Sequence, residues 1–147
     1  MVMVFIGSHI IDRLLEQGHE VINVDNLSTG NNINPKAELV NADISNRANR
    51  LKLCESMEGV DTVFHCAALA RVQPSIENPQ KYHKTNVDGT LNVLLSARDS
   101  AVRRVVYSAS SSAYGDQKQM PLNETMPTAP ISPYGLQKLI GEQYCFV

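Results

Sequence analysis

Residues 1–147 predict a single α/β domain with a doubly wound parallel sheet. Two observations carry the prediction. Short apolar runs of strand length alternate with longer segments whose apolar residues recur at helical spacing. Strands separated by helices pair in parallel through crossovers. No internal repeat, low-complexity tract or linker divides the chain, and its length allows one sizeable core.

The chain opens on a short apolar stretch, Met1 to Val4, which runs into Phe5-Ile6-Gly7-Ser8. Ile10, Ile11, Leu14 and Leu15 then fall at helical spacing until Gly18, a C-terminal cap in this reading. Val21 to Asp25 reads as a buried strand, and Asn26 to Pro35, rich in Asn, Ser, Thr and Gly, as a loop. A second strand covers Ala37 to Ala42, a helix Ser45 to Met57, and a third strand Val60 to Cys66. Ala67 to Asn78 reads as a loop, after which Pro79 opens a long helix to about Ser100. Arg104 to Ser108 is the fourth strand, Gly115 to Ile131 is mostly loop, and a last helix runs from Pro133 towards Val147.

Composition narrows the function classes. Hydrophobic residues at 43% and charged residues at 19% describe an ordinary globular chain. A net charge of -2 gives no reason to expect nucleic acid or an anionic membrane as partner. No apolar run approaches the ~20 residues of a membrane span. The N-terminus shows no basic, cleavable signal. Cys54, Cys66 and Cys145 are odd in number and widely spaced, so they read as buried thiols in a reducing, cytoplasmic setting. His9, His19, His65 and His83 form no metal-spaced set, and no metal is expected.

Two stretches carry chemistry: Ser108-Ala109-Ser110-Ser111-Ser112-Ala113-Tyr114-Gly115, and Ser132-Pro133-Tyr134-Gly135-Leu136-Gln137-Lys138. Pro133 sits where a helix starts, which puts Tyr134 and Lys138 at i and i+4 on one face. That spacing aims a phenol and an ammonium at the same ligand. A free tyrosine ionises near pH 10, and bringing it to neutral pH takes about 3 units, or roughly 4 kcal/mol in favour of the phenolate. A neighbouring lysine supplies part of this, because opposite charge favours the ionised form. A serine hydroxyl can hold the substrate oxygen whose proton is removed.

With these stretches in view, the chain resembles the extended short-chain dehydrogenase/reductases. Within them it is similar to the NAD-dependent nucleotide-sugar epimerase/dehydratases of the UDP-glucose 4-epimerase type. The resemblance also runs through Phe5-Ile6-Gly7-Ser8-His9, Val24-Asp25-Asn26-Leu27, Ala42-Asp43-Ile44, His65-Cys66-Ala67-Ala68 and Asn86-Val87-Asp88-Gly89-Thr90. It implies a Rossmann-like NAD-binding domain and a UDP-sugar as the substrate class. It also implies Tyr134 as the base for a sugar hydroxyl while a hydride passes to NAD. Lys138 would lower the Tyr134 pKa and bond the nicotinamide ribose, and Ser110 would bond the reacting oxygen.

Other roles follow from the same resemblance. Asp25 lies 18 positions after Gly7 and ends its strand, where an acid bonds the adenosine ribose and repels a 2′-phosphate. NAD is thereby expected over NADP. Phe5, Ile6 and Gly7 belong to the cofactor stretch, with Asn26 beside Asp25. Asp43 and Ile44 would border the adenine, and Ala67, Ala68 and Leu69 would line the strand-end cleft. Asn86 reads equally as the family's buried helix asparagine or as a plain polar residue of a helix. A homodimer is a possible assembly, through helices such as those at Pro79 and Pro133.

Family members that eliminate or decarboxylate place an acid just after the active-site Ser/Thr. Here that stretch is Ser110-Ser111-Ser112-Ala113, which favours simple 4-epimerisation of a UDP-hexose or UDP-N-acetylhexosamine. A related dehydratase or reductase, and a non-catalytic remnant with an impaired cofactor site, are the competing readings. The remnant reading rests on two departures. Of a G-x-x-G-x-x-G turn only Gly7 is kept, with Val4 and Met1 at the other two positions. Met1 to Val4 could supply at most a stub of a first, central strand. The final helix reaches Val147 without a cap, so the chain is expected to be a partial domain of a longer protein.

Overall fold

The computed structural model describes residues 2–30 and 33–147, with side chains from Phe5 onward. Its class is the expected one, parallel strands alternating with helices. The chain runs α1 (Val2–Glu16), β1 (Ile22–Asp25), β2 (Glu38–Asn41), α2 (Arg50–Ser56), β3 (Thr62–His65), α3 (Val72–Glu77), α4 (Pro79–His83), α5 (Gly89–Asp99), β4 (Arg104–Tyr107) and α6 (Pro133–Tyr144).

Pairing is parallel in two separate ladders. In one, β1 lies beside β2 with Val24 opposite Val40; in the other, β3 lies beside β4 with Val63 opposite Val105. The expected sheet is therefore present as two strand pairs that are not hydrogen-bonded to one another among the described residues. Alternation along a strand sends successive side chains to opposite faces. Val24, Val40, Val63 and Val105 accordingly all pack on one core, formed by Ala42, Ile44, Leu53, Met57, Val93 and Ala97. The core joins both pairs to α2 and α5. Phe64 and Val106, of the opposite parity, are exposed.

Polar ties close the same layer. The Ser100 hydroxyl donates to the Cys54 carbonyl at 3.0 Å, and Arg50 of α2 pairs with Asp99 of α5. Gly89 opens α5 against Ile44, where a Cβ would stand 2.9 Å from Ile44 Cγ1. The Asn92 amide donates to the Ile44 carbonyl at 2.9 Å, which fixes that approach.

Several expectations need correction. Val2 to Val4 are the first turn of α1 and form no strand stub; Met1 and Asn31-Asn32 lie outside the described residues. Gly7 is inside that helix, and a Cβ there would meet nothing within 4 Å, so no turn or close approach requires the glycine. Gly18 does sit in the left-handed region, at φ 81°, and stops the helix. Strand β1 is half-buried, with Ile22 exposed, because one of its faces is open. The predicted Ser45–Met57 helix begins later, with a single 3-10 turn at Arg47–Asn49 before α2.

The loop predicted from Ala67 to Asn78 contains α3. The long helix predicted from Pro79 is one helical run interrupted by a π turn at Lys84–Asp88, a feature often found beside functional sites. Cys54 and Cys66 are half-buried, and Cys145 is exposed where a buried thiol was expected. No helix of the described residues is long and apolar enough to cross a membrane.

Leu53 is fully buried at the centre of the core, whereas Leu51 on the same helix is 70% exposed. Leu53→Ala should lower the unfolding free energy by about 2–5 kcal/mol. Leu51→Ala should stay within about 0.5 kcal/mol. Urea unfolding of both variants checks the placement of the core.

Candidate active site

The carboxyl ends of all four strands carry the residues singled out from the sequence, at the side of an open α/β sheet where ligands bind. Asp25 ends β1, Asp43 follows β2, Ala67 to Leu69 follow β3, and Ser110 follows β4. Helix α6 adds Tyr134 and Lys138.

Helix α6 begins as its sequence dictates. Ser132 is the N-cap, accepting from the Gly135 amide at 3.0 Å, and Pro133 takes the first helical position, where its missing N–H costs nothing. The first turn lies against the serine segment. A Cβ on Gly135 would stand 2.5 Å from the Ser112 carbonyl oxygen, so only glycine allows this approach. Ser111–Ala113 form a 3-10 turn capped by Ser110, whose Oγ accepts from the Ser112 amide at 3.2 Å. From the other side, the buried Ser75 of α3 accepts the Tyr134 amide at 3.1 Å. Helix α6 thus brings the serine turn and Tyr134 together.

Lys138 is 2% exposed. Burial pushes its pKa down to about 8, with the thiols of Cys66 and Cys145 acting in the opposite sense. It still carries its proton at pH 7. Its Nζ lies 4.1 Å from the centroid of the Tyr107 ring. Behind it, His65 is buried, with Nε2 2.9 Å from Thr90 Oγ1. The Thr90 hydroxyl donates to the Asn86 carbonyl at 2.7 Å, so the histidine donates and its proton sits on Nε2. Burial, and then the charge of Lys138, hold the His65 pKa at about 3. It is a neutral structural histidine.

Asn86 is buried rather than on an open helix face. It lies in the π turn, 1% exposed, and clamps the cleft loop through both amide atoms. Its Oδ1 accepts from the Leu69 amide at 2.8 Å, and its Nδ2 donates to the Leu69 carbonyl at 3.0 Å. The same Nδ2 donates to Gln137 Oε1 of α6 at 3.2 Å, and Gln137 in turn donates to the Pro79 carbonyl at 3.3 Å. Sequence reasoning missed Gln137, Ser75 and Tyr107. Only Ser132 carried a local signal, a serine directly before a helix-opening proline.

At the other end of the cleft, Asp25 Oδ1 accepts from the Leu27 amide at 2.7 Å, and Leu27 sits at φ 55°. Asp43 Oδ1 accepts from the Ser45 amide at 2.8 Å. Burial opposes its charge, but hydrogen bonds from Ser45 and Asn26, with the charge of Lys84, hold the carboxyl below its ordinary value. Asn26 and Asp43 are therefore neighbours. Ile44 is buried in the core, facing Gly89. Phe5 and Ile6 are exposed on α1, with Gly7 half-buried beside them. That helix is tied to the loop after β1 by Asn34, whose amide donates to Asp12 at 2.7 Å.

The residues present fit a dinucleotide at its two ribose ends: carboxylates at the ends of β1 and β2, and a tyrosine and an ammonium at α6. The α1 stretch does not form a glycine turn. Among the described residues there is no group of three or more metal-ligating side chains.

Comparison with known proteins shows the family. The model of the NAD dependent epimerase/dehydratase family matches residues 4–147. A Methanocaldococcus jannaschii candidate UDP-glucose 4-epimerase is 46% identical over 143 residues, covering 95% of this chain and 46% of its own length. The UDP-N-acetylglucosamine 4-epimerase of Methanobrevibacter ruminantium, in complex with UDP-N-acetylmuramic acid, superposes with a TM-score of 0.87 at 34% identity, over 96% of this chain and 46% of that one. The UDP-glucose 4-epimerase of Brucella ovis, in complex with NAD, gives 0.89 at 37% identity, over 95% and 43%. The chain spans less than half the length of these relatives.

Two predictions follow from this geometry. In the unfolded chain His65 titrates near 6.5, against about 3 when folded. Its contribution to stability is complete above about pH 6.5 and is lost as the pH falls towards 3. Between pH 7 and pH 4.5 the wild type should lose about 2 kcal/mol more than His65→Gln, measured by urea unfolding. Gly135→Ala should push the serine turn away from α6, lowering the melting temperature and shifting the Ser110–Ala113 amide resonances. Leu136→Ala, at an exposed neighbour, should do neither.

Proposed function

This chain belongs to the NAD dependent epimerase/dehydratase family, and on that premise we propose that it is the NAD-binding part of a nucleotide-sugar epimerase. The substrate class is a UDP-hexose or UDP-N-acetylhexosamine, inverted at its 4-position. The observation that supports the reading is the close packing of the first turn of α6, which carries Tyr134, on the turn capped by Ser110, with Lys138 buried and protonated one turn further on.

Bound NAD supplies a reversible hydride acceptor for the carbon whose hydroxyl is deprotonated. The chain's own residues do the rest. Tyr134 takes the proton of the sugar hydroxyl as general base, and the Lys138 ammonium stands one helical turn further along α6. Lys138 would also bond the nicotinamide ribose. The Ser110 oxygen already accepts the Ser112 amide, which leaves its O–H to donate to the sugar oxygen.

At the adenosine end Asp25 uses Oδ1 on the Leu27 amide, which leaves its second oxygen free to accept from the ribose hydroxyls of a bound dinucleotide. Asn26 and Asp43 would border the adenine, with Ile44 offering only its backbone because its side chain is buried in the core. Ala67, Ala68 and Leu69, held by Asn86, line the cleft between the ends. Phe5, Ile6 and Gly7 would stand nearest the pyrophosphate, on a helix that offers it no glycine turn. The serine turn carries no carboxylate, which supports epimerisation over elimination.

Calorimetry with NAD on the chain as it stands tests the reading. Binding at micromolar strength is expected, with NADP at least tenfold weaker because Asp25 repels a 2′-phosphate. Asp25→Asn should narrow that gap. A folded chain that gives no heat with millimolar NAD would overturn the proposal. Product analysis with a panel of UDP- and dTDP-sugars then separates epimerisation from dehydration.

A further inference from the structure

We propose that Tyr107 is a positioning residue, whose ring face holds the Lys138 ammonium at the head of the cleft. The inference rests on the reading of Lys138 as the cation that serves Tyr134, and adds what places that cation there.

A buried ammonium ordinarily requires a paired charge. None of the ion pairs among the described residues includes Lys138, and no hydrogen bond of its Nζ is found there. What lies against it is the Tyr107 ring, 4.1 Å away along the face. An aromatic face attracts a cation through its quadrupole, and more strongly when both are out of water. It carries no net charge, so it steadies the ammonium without cancelling its field. A carboxylate in the same place would neutralise the charge that Tyr134 needs.

The ring itself is fixed. The Tyr107 hydroxyl donates to the Lys138 carbonyl at 3.4 Å, and the His65 ring packs against it with centroids 5.5 Å apart. Gly141, one turn beyond Lys138, has no Cβ, and a Cβ there would collide with the Tyr107 phenol. His65 is neutral and does not repel the ammonium. Burial raises the Tyr107 phenol well above its ordinary range, so it stays protonated and does not compete with Tyr134 as base.

Lysine-selective 13C spectra test the placement without cofactor. The Lys138 ε-methylene signal, identified by its loss in Lys138→Arg, should lie well upfield of the other lysines, because it stands over an aromatic face. Tyr107→Phe should keep that position and Tyr107→Leu should abolish it, with folding checked by far-UV dichroism. NAD affinity should fall roughly tenfold in Tyr107→Leu, the order expected of a desolvated cation–π contact, and recover in Tyr107→Phe. The absence of any displaced lysine signal in the wild type overturns the proposal even if no variant folds. So does a displaced signal that survives in Tyr107→Leu. Absence of NAD binding in the wild type would instead overturn the functional reading, with the spectra still deciding the role of Tyr107.

Discussion

Between α6 and the serine turn there is room for backbone only. Gly135 meets the Ser112 carbonyl where a Cβ would not fit, and that contact sets the position of everything α6 carries. Once the first turn is seated, Ser132 caps it, Tyr134 is anchored through its amide to Ser75, and the next turn is driven inward. Gln137 and Lys138 are buried as a result, although both are polar. Burying polar groups is costly unless they are partnered. Gln137 is bonded to Asn86 and Pro79, and Lys138 lies on Tyr107. The close approach thus creates the conditions under which a lysine is out of water and still protonated at pH 7.

The rest of the cleft is held by a second device, the π turn. By widening the helix at Lys84–Asp88 it presents Asn86 to the loop after β3, where one side chain satisfies both polar groups of Leu69. The nearby Arg71 is held at φ 87°, an uncommon conformation for a side chain of its size. Leu27, directly beyond Asp25, is also in the left-handed region. Such strain persists only where surrounding contacts over-determine the backbone. Here it marks two of the loops that shape the strand-end cleft.

What could be read in the sequence was what local physics decides. The alternation of apolar runs gave four strands within a residue or two of their observed ends. Gly18 stopped α1, and Pro133 opened α6. The positions of Ser110, Asp25 and Asp43 at strand ends followed from the same alternation. Contacts across long separations were not legible. Gln137 is 51 positions from Asn86, and Tyr107 is 31 from Lys138, so no periodicity links them. Helix α3 was hidden because Pro74 interrupts its short pattern, and it is packing against α6 that sustains it. The start of α1 was misjudged because Gly7 suggested a turn, whereas a glycine with nothing near it is tolerated within a helix. The two strand pairs remain apart because the described residues of α1 supply a helix where a further strand was considered.

The central claim is that the strand-end residues and α6 form one ligand cleft. Titrating the 15N-labelled chain with NAD, and following each amide, tests it most directly. The account predicts that Asp25, Asp43, Leu69, Tyr134 and Lys138 shift together along one saturation curve. Shifts confined to the exposed surface at Ile131 and Leu136, with the strand ends unmoved, would contradict it.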